Sequence, residues 1–168
     1  SLTTAQVASM QTADVAALSV TQVASLNTAS VAALSSTQAQ ALTSAQVAGL
    51  TTTQIGALET ADLSAMSSAQ LAGLSVTQIG KLSTAQVAAL TTGQVAGLSA
   101  TQVASLSSAA TAALTTSQVQ ALTTAQVRGL SSTQLNSLTT AQVASMETAD
   151  VAALSVTQVA SLNTASVA

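Results

Sequence analysis

Apolar positions recur along this chain with a fixed period of one octad. Leu or Met occupies every eighth position from Leu2 and Met10 to Leu162. With that residue as position one, the consensus octad is Leu-[Ser/Thr]-Thr-Ala-Gln-Val-Ala-Ala, and Val, Ile or Leu fills position six in nineteen of twenty-one octads. Self-similarity at one period over a whole chain indicates a repeat architecture. We therefore treat residues 1–168 as a single array of 21 octads.

The spacing inside the octad predicts the start of a helix. Position two is Ser, Thr or Asn in eighteen octads, and these residues favour the N-cap. Gln occupies position five in fifteen octads, which is the N3 position of a capping box. Positions one and six then become N′ and N4, the pair that forms a hydrophobic staple. We expect one helix of about six residues, about 9 Å long, in each octad.

Such short helices predict an all-α solenoid. Helices shorter than about 12 residues are marginal in water, so these must stack on their neighbours with Leu and Val facing inward. Gly49, Gly73 and Gly97 recur in every third octad, which suggests three octads per coil, although this recurrence does not continue along the whole chain. One continuous helix is disfavoured because its Leu row would rotate by about 80° per octad. A β-solenoid rich in Thr and Val remains the alternative.

A longer period lies above the octad. Residues 1–32 recur as residues 137–168 with one change, Gln11 to Glu147. The two copies are offset by seventeen octads. Neither end carries the polar terminal repeat that usually caps a solenoid. We expect a larger cassette repeated in tandem, of which this chain is a segment.

One octad departs from the consensus at both key positions. In Ser107–Leu114, Ala110 replaces Gln and Thr111 replaces Val. The capping box and the staple are both lost there. We expect this to be the least protected unit of the array.

Acidic residues replace Gln at position five only where position two is Gln or Glu. The pairs are Gln11 with Asp14, Glu59 with Asp62, and Glu147 with Asp150. The two residues of the cap change together. We expect the following threonines, Thr12, Thr60 and Thr148, to take over the N-cap.

The composition excludes most chemistry. The chain has no aromatic residue, Cys, His or Pro, and its net charge is −3 with only seven charged residues. Without His or Cys there is no imidazole base, thiolate nucleophile or ordinary zinc site. Clustered Lys and Arg, which nucleic-acid binding requires, are missing. Despite a mean hydropathy of +0.55, no apolar run approaches the roughly 18 residues of a membrane span. Residues 1–20 show no signal peptide.

The few ionisable residues do not form a recognisable site. Lys81 and Arg128 are isolated substitutions that we expect in water. The acidic pairs at spacing i, i+3 suggest either calcium ligands, too few for one ion, or acids that favour a helix N-terminus; we favour the latter. We predict no enzyme activity and no catalytic, cofactor-binding or metal-binding residue.

The hydroxyl and Gln columns allow two interpretations each. Adjacent threonines such as Thr3–Thr4 and Thr91–Thr92 could line a flat surface for ice, but helix capping explains them without a ligand. The Gln column could form a ladder or close the capping boxes, and its spacing favours capping. Apolar rows at the solenoid ends could also stack end to end, which would give self-association. A binding surface, for ice, glycan or another copy of the chain, is therefore the alternative to a structural rod.

The octads resemble a loosely defined family. Those that begin at Leu82 and Leu122 are similar to octapeptide tracts of large bacterial secreted or surface proteins, which are labelled as adhesins or haem-utilisation-type proteins. The resemblance covers the whole chain. It implies an extracellular or cell-surface setting and a spacer or adhesive role. The chain has no His, Cys or Tyr to ligate haem iron, and its three Met residues all lie at position one.

Overall fold

A computed structural model describes residues 2–162, and this part of the chain is helical without strands. Twenty helices of four to six residues follow one another, one in each of the first twenty octads. Each begins at position three and ends between positions six and eight. The predicted all-α solenoid is confirmed, and the β-solenoid alternative is wrong.

The helices form three rows because each packs against the helices three places before and after it in the chain. Three octads therefore complete one coil. The first row contains α1 Thr4–Ser9, α4 Thr28–Ala32, α7 Thr52–Ala57, α10 Val76–Ile79, α13 Ala100–Ala104, α16 Thr124–Gly129 and α19 Thr148–Ala152. The second row contains α2 Thr12–Ala17, α5 Ser36–Ala41, α8 Thr60–Ala65, α11 Thr84–Ala89, α14 Ser108–Ala112, α17 Ser132–Ser137 and α20 Val156–Ser161. The third row contains α3 Val20–Ala24, α6 Ser44–Ala48, α9 Ser68–Ala72, α12 Thr92–Gly97, α15 Thr116–Gln120 and α18 Thr140–Ala144.

The helix starts repeat one hydrogen-bond pattern. At α11, the backbone N–H of Gln86 donates to Ser83 Oγ at 3.1 Å, and the backbone N–H of Ser83 donates to Gln86 Oε1 at 2.9 Å. Ser83 itself is extended, with φ −72° and ψ 163°. Two N–H groups that a helix start leaves without a backbone partner are thereby bonded. The same reciprocal pair occurs at all fifteen octads that carry Gln at position five.

The expected shift of the N-cap in the acidic octads is wrong. The N-caps of α2, α8 and α19 are Gln11, Glu59 and Glu147, and the threonines that follow them are the first helical residues. The side chains of Glu59 and Glu147 make no capping hydrogen bond. The acid still contributes at α2, where Asp14 Oδ2 accepts from the backbone N–H of Gln11 at 3.2 Å. The backbone register, set by position one, is therefore unchanged even where the cap chemistry differs.

The core is a narrow aliphatic column made of positions one and six. From Leu26 to Leu138 every Leu or Met at position one is buried, and so is every residue at position six from Val7 to Leu135. Helix ends do not need a left-handed residue, since residues 2–162 contain no positive φ angle. Each helix ends instead with extended or right-handed backbone and turns directly into the next cap.

Small residues occupy position eight, where successive coils meet, in every described octad except that of Lys81. Position eight of one octad lies against position three of the octad one coil earlier. A Cβ atom at Gly49 would lie 2.3 Å from Val20 Cγ1, and one at Gly97 would lie 3.0 Å from Ser68 Cβ. Both distances are shorter than an ordinary van der Waals contact. The recurrence of Gly in every third octad therefore reflects the coil, as the sequence suggested.

Two glycines at the same octad position give a matched test of coil contact. Gly56 and Gly80 both follow Gln-Ile at position seven of the first row. A Cβ atom at Gly80 would lie 2.9 Å from the backbone oxygen of Ser105, whereas one at Gly56 would meet nothing within 4 Å. We expect Gly80→Ala to lower the free energy of unfolding by about 1–3 kcal/mol. Gly56→Ala should raise it by about 0.5–1 kcal/mol, because alanine loses less entropy in a helix. Denaturant unfolding of both variants checks this, and equal effects would contradict the coil register.

Candidate functional site: the buried glutamine column

The most distinctive polar feature of the molecule is a column of buried Gln side chains at position five. Thirteen of them, between Gln38 and Gln158, are almost fully buried among aliphatic residues. Buried polar groups are costly unless they are hydrogen-bonded. Each of these carboxamides uses both its oxygen and its nitrogen.

Gln94 shows the arrangement. Its Oε1 accepts from the backbone N–H of Thr91 at 2.7 Å, which closes the capping box of its own helix. Its Nε2 donates to the carbonyl oxygens of Met66 at 2.6 Å and Leu63 at 2.7 Å, in the preceding coil. One side chain thus bonds the start of one helix to the end of another.

The acceptor in the preceding coil is always the same position. In all thirteen cases Nε2 donates to the position-one carbonyl 28 residues earlier. That carbonyl lies between two helices, where the backbone offers no N–H for it. The Gln column is therefore a ladder and a set of capping boxes at once. Sequence reasoning treated these as alternatives and missed the bond across coils.

Ser30 shows that a position-one carbonyl also accepts a hydrogen bond where position five is not Gln. This octad has Ser at position five and Asn27 at the N-cap, whose Oδ1 accepts from the Ser30 backbone N–H at 2.8 Å. The Ser30 hydroxyl donates to the carbonyl of Leu2 at 3.3 Å, again 28 residues earlier. A shorter side chain therefore makes a longer form of the same bond.

The acidic octads reverse the direction of the bond between coils. Asp62 Oδ1 accepts from Ser36 Oγ at 3.0 Å, and Asp150 Oδ1 accepts from Thr124 Oγ1 at 2.8 Å. In both cases the hydroxyl belongs to position three of the preceding coil. Oδ1 of the acidic side chain receives a hydrogen bond where Gln would have donated one. Nothing in the octad pattern singled out these two hydroxyls.

The octad of Ala110 has no carboxamide to make either bond. Ser107 Oγ still accepts from the Ala110 backbone N–H at 3.1 Å, so half of the cap remains. Thr111 is fully buried in place of Val, and its hydroxyl donates to the carbonyl of Ser107 at 3.0 Å. The helix is retained, but the ladder has a gap at this step.

Most ionisable side chains in the described part of the chain are exposed. Lys81 and Arg128 are exposed, as are Glu59 and Glu147. Among residues 2–162 no group of three or more His, Cys, Asp or Glu residues is close enough to hold a metal ion. Burial raises the pKa of Asp62, with the Glu59 charge adding to it and the hydrogen bond from Ser36 opposing it.

The outer surface offers hydroxyls and small side chains. At position two these hydroxyls are exposed, yet they already accept from a helix N–H, as Ser83 does. The Thr pairs that suggested an ice-binding surface lie at positions two and three, so one member of each is a cap. A groove of about 420 Å³ between two coils is lined by residues that include Val76, Gly97 and Thr101, and none of its lining residues is ionisable. Within residues 2–162, no helix has the length and hydropathy of a membrane span.

The donor role of the Gln nitrogen can be tested with an isosteric change. Gln94→Glu keeps the shape of the side chain but places a carboxylate against the carbonyls of Met66 and Leu63. We expect a loss of about 3 kcal/mol or more in the free energy of unfolding at neutral pH, because a buried charge meets two acceptors. Part of the loss should return in acid, when the carboxyl takes a proton. Gln40→Glu, on the exposed face of α5, is the control, and an equal effect there would contradict the assignment.

The gap in the ladder predicts local opening at α14. Hydrogen exchange, followed amide by amide, should show lower protection for Ser108–Ala112 than for the flanking helices α13 and α15. The physical reason is that this octad lacks both the side-chain acceptor for the Ser107 backbone N–H and the hydrogen bond to the coil below. Slower exchange at α14 than in its neighbours would contradict the role of the carboxamide.

Comparison with known proteins places the repeat in a family. A family model described as the ALTTAQ repeat matches six overlapping or adjacent segments, residues 7–44, 23–52, 55–92, 89–124, 117–146 and 143–168. The six letters themselves occur at residues 121–126. No curated protein and no solved structure matches the chain. Since the matched segments cover nearly all of it, the chain belongs to the ALTTAQ-repeat family.

Proposed function

We propose that this chain is a structural rod or spacer without catalytic activity. Its three rows of helices share one core and one set of hydrogen bonds. Its outside carries few charges, and those are scattered. These features supply rigidity and length rather than a site for a substrate.

The observation that supports a spacer most strongly is a mismatch between two periods. One coil takes three octads, whereas the copies of the long repeat are offset by seventeen octads, which is five coils and two further octads. The same sequence therefore begins in the first row at α1 and in the third row at α18. A ligand surface along one side would need its residues to recur on that side. A spacer has no such requirement.

The equivalence of the three rows follows from the Gln column. Nearly every octad offers the same capping box to its own helix and the same position-one carbonyl to the next coil. An octad can thus follow any other octad. This favours growth in length by any number of repeats, which suits a spacer of variable reach.

An extracellular or cell-surface setting is part of this proposal. It rests on the resemblance of the octads to tracts of bacterial secreted and surface proteins. The absence of Cys is compatible with any redox environment, so composition does not decide it. Labelling of intact producing cells by an antibody against the chain would support this setting, and labelling only after lysis would refute it.

Insertion variants test the spacer directly. Duplicating residues 74–97 adds one coil, and duplicating residues 82–89 adds one octad. We expect both to fold, and the coil insertion to lengthen the particle by about 8–10 Å, the usual distance between packed helices. Small-angle scattering gives the length and circular dichroism the helix content.

The single-octad insertion distinguishes a spacer from a protein with a binding face. It shifts every later residue to a different row, so unfolding of this variant alone would show that the rows are not equivalent. That result would favour a binding face, for ice or glycan. Particle length that grows with protein concentration would instead favour end-to-end assembly.

A further inference from the structure

Asp62 is the one acid of the column that, within residues 2–162, has a buried oxygen without a partner. Its side chain is 2% exposed. Oδ1 accepts from Ser36 Oγ, whereas Oδ2 is buried without a hydrogen-bond partner in the part of the chain that the structure describes. A buried acceptor of this kind is costly. Another interaction of Asp62 must therefore offset the free-energy cost of burying this oxygen.

Asp62 occupies the octad position at which most other octads carry a hydrogen-bond donor. In the thirteen octads with a buried Gln, the side chain at position five donates to a position-one carbonyl of the coil below, and in most of them also to the position-six carbonyl just before it, as Gln94 does. For Asp62 the equivalent groups are the carbonyls of Leu34 and Val31. A carboxylate would place negative charge where the coil below presents acceptors.

We propose that the contact between α5 and α8 is an acid-stabilised joint, in which Asp62 carries a proton on Oδ2 and offers it to the coil below in place of the glutamine amide. A neutral carboxyl has one donor and remaining acceptor capacity, so it matches the needs of this position better than a carboxylate does. Oδ1 keeps its bond from Ser36. The joint loosens when the proton leaves.

The charges around Asp62 support this assignment. Its helix packs against α5 and α11, and neither Ser36–Ala41 nor Thr84–Ala89 contains an ionisable residue. The nearest ionisable group on its own octad is the exposed Glu59. Burial is the main cause of the raised pKa of Asp62, and the negative charge of Glu59 adds to it, whereas the hydrogen bonds from Ser36 and from the backbone N–H of Glu59 oppose it.

The sign of the pH effect is opposite to ordinary acid unfolding. Because the pKa of Asp62 is higher in the folded chain than its ordinary value of 3.8, the folded state holds the proton more tightly. Below pH 3.8 both states are protonated and the penalty is absent. As pH rises above 3.8 the penalty appears, and it is complete above the folded-state pKa.

Asp62→Asn tests the joint, with Asp14→Asn as the matched control. Asp14 occupies the same octad position in the first coil, where it is exposed. We expect the unfolding constant of the native chain, relative to that of Asp62→Asn, to rise between pH 3.5 and pH 8, by a factor of ten for each unit by which the folded-state pKa exceeds that of the unfolded chain. Asp14→Asn should not show this rise, because Asp14 is exposed and not buried between coils. A pH-independent ratio for Asp62→Asn would overturn the proposal.

A direct titration keeps the test independent of variant folding. The ¹³Cγ resonance of Asp62 in the native chain should titrate above pH 3.8, and titration at or below that value would refute the joint. A further experiment adds sodium or calcium chloride at fixed pH, to test whether a cation stabilises the chain at this position. Selective stabilisation of the native chain over Asp62→Asn by either salt would overturn protonation and assign the position to a cation.

Discussion

The structure depends on satisfying the backbone groups that very short helices leave unpaired. A helix of five or six residues leaves most of its N–H and carbonyl groups without a partner inside the helix. The buried Gln carboxamide meets this demand at both kinds of helix end. Its oxygen bonds the cap of its own helix, and its nitrogen bonds the carbonyl between two helices of the preceding coil, as Gln94 does with Thr91 and Met66. Gln suits this role because it offers one strong acceptor and two donors on a chain long enough to reach.

The aliphatic core and the Gln column make different contributions to the packing of the coils. Leu and Val at positions one and six exclude water but are non-directional, and a core of these residues alone would not fix how one coil sits on the next. The carboxamide supplies direction, because it reaches one defined carbonyl of the coil below. Small residues at position eight, such as Gly49 against Val20, then let the coils close to that distance. Each consensus octad thus provides core residues, a helix cap and a hydrogen bond between coils.

Much of the local structure could be predicted from the octad. Ser or Thr at position two and Gln at position five indicate a helix start through spacing alone, and Leu with Val indicates the buried face. The link between coils could not be predicted. In a strict octad array, the spacings from one Gln to the Leu residues of earlier octads differ only by multiples of eight. Sequence spacing therefore does not show which Leu carbonyl accepts a hydrogen bond from that Gln. Likewise, Asp14 and Asp62 share one motif, yet Asp14 is exposed and Asp62 is buried where α8 packs against α5.

The central claim is that the Gln amide protons are held between coils. Exchange of side-chain carboxamide protons, followed by NMR on ¹⁵N-labelled protein, measures this directly. The account predicts slow exchange for Gln54, Gln94 and Gln126, whose nitrogens donate to the coil below, and fast exchange for the exposed Gln40 and Gln120. Equally fast exchange in both groups would contradict it.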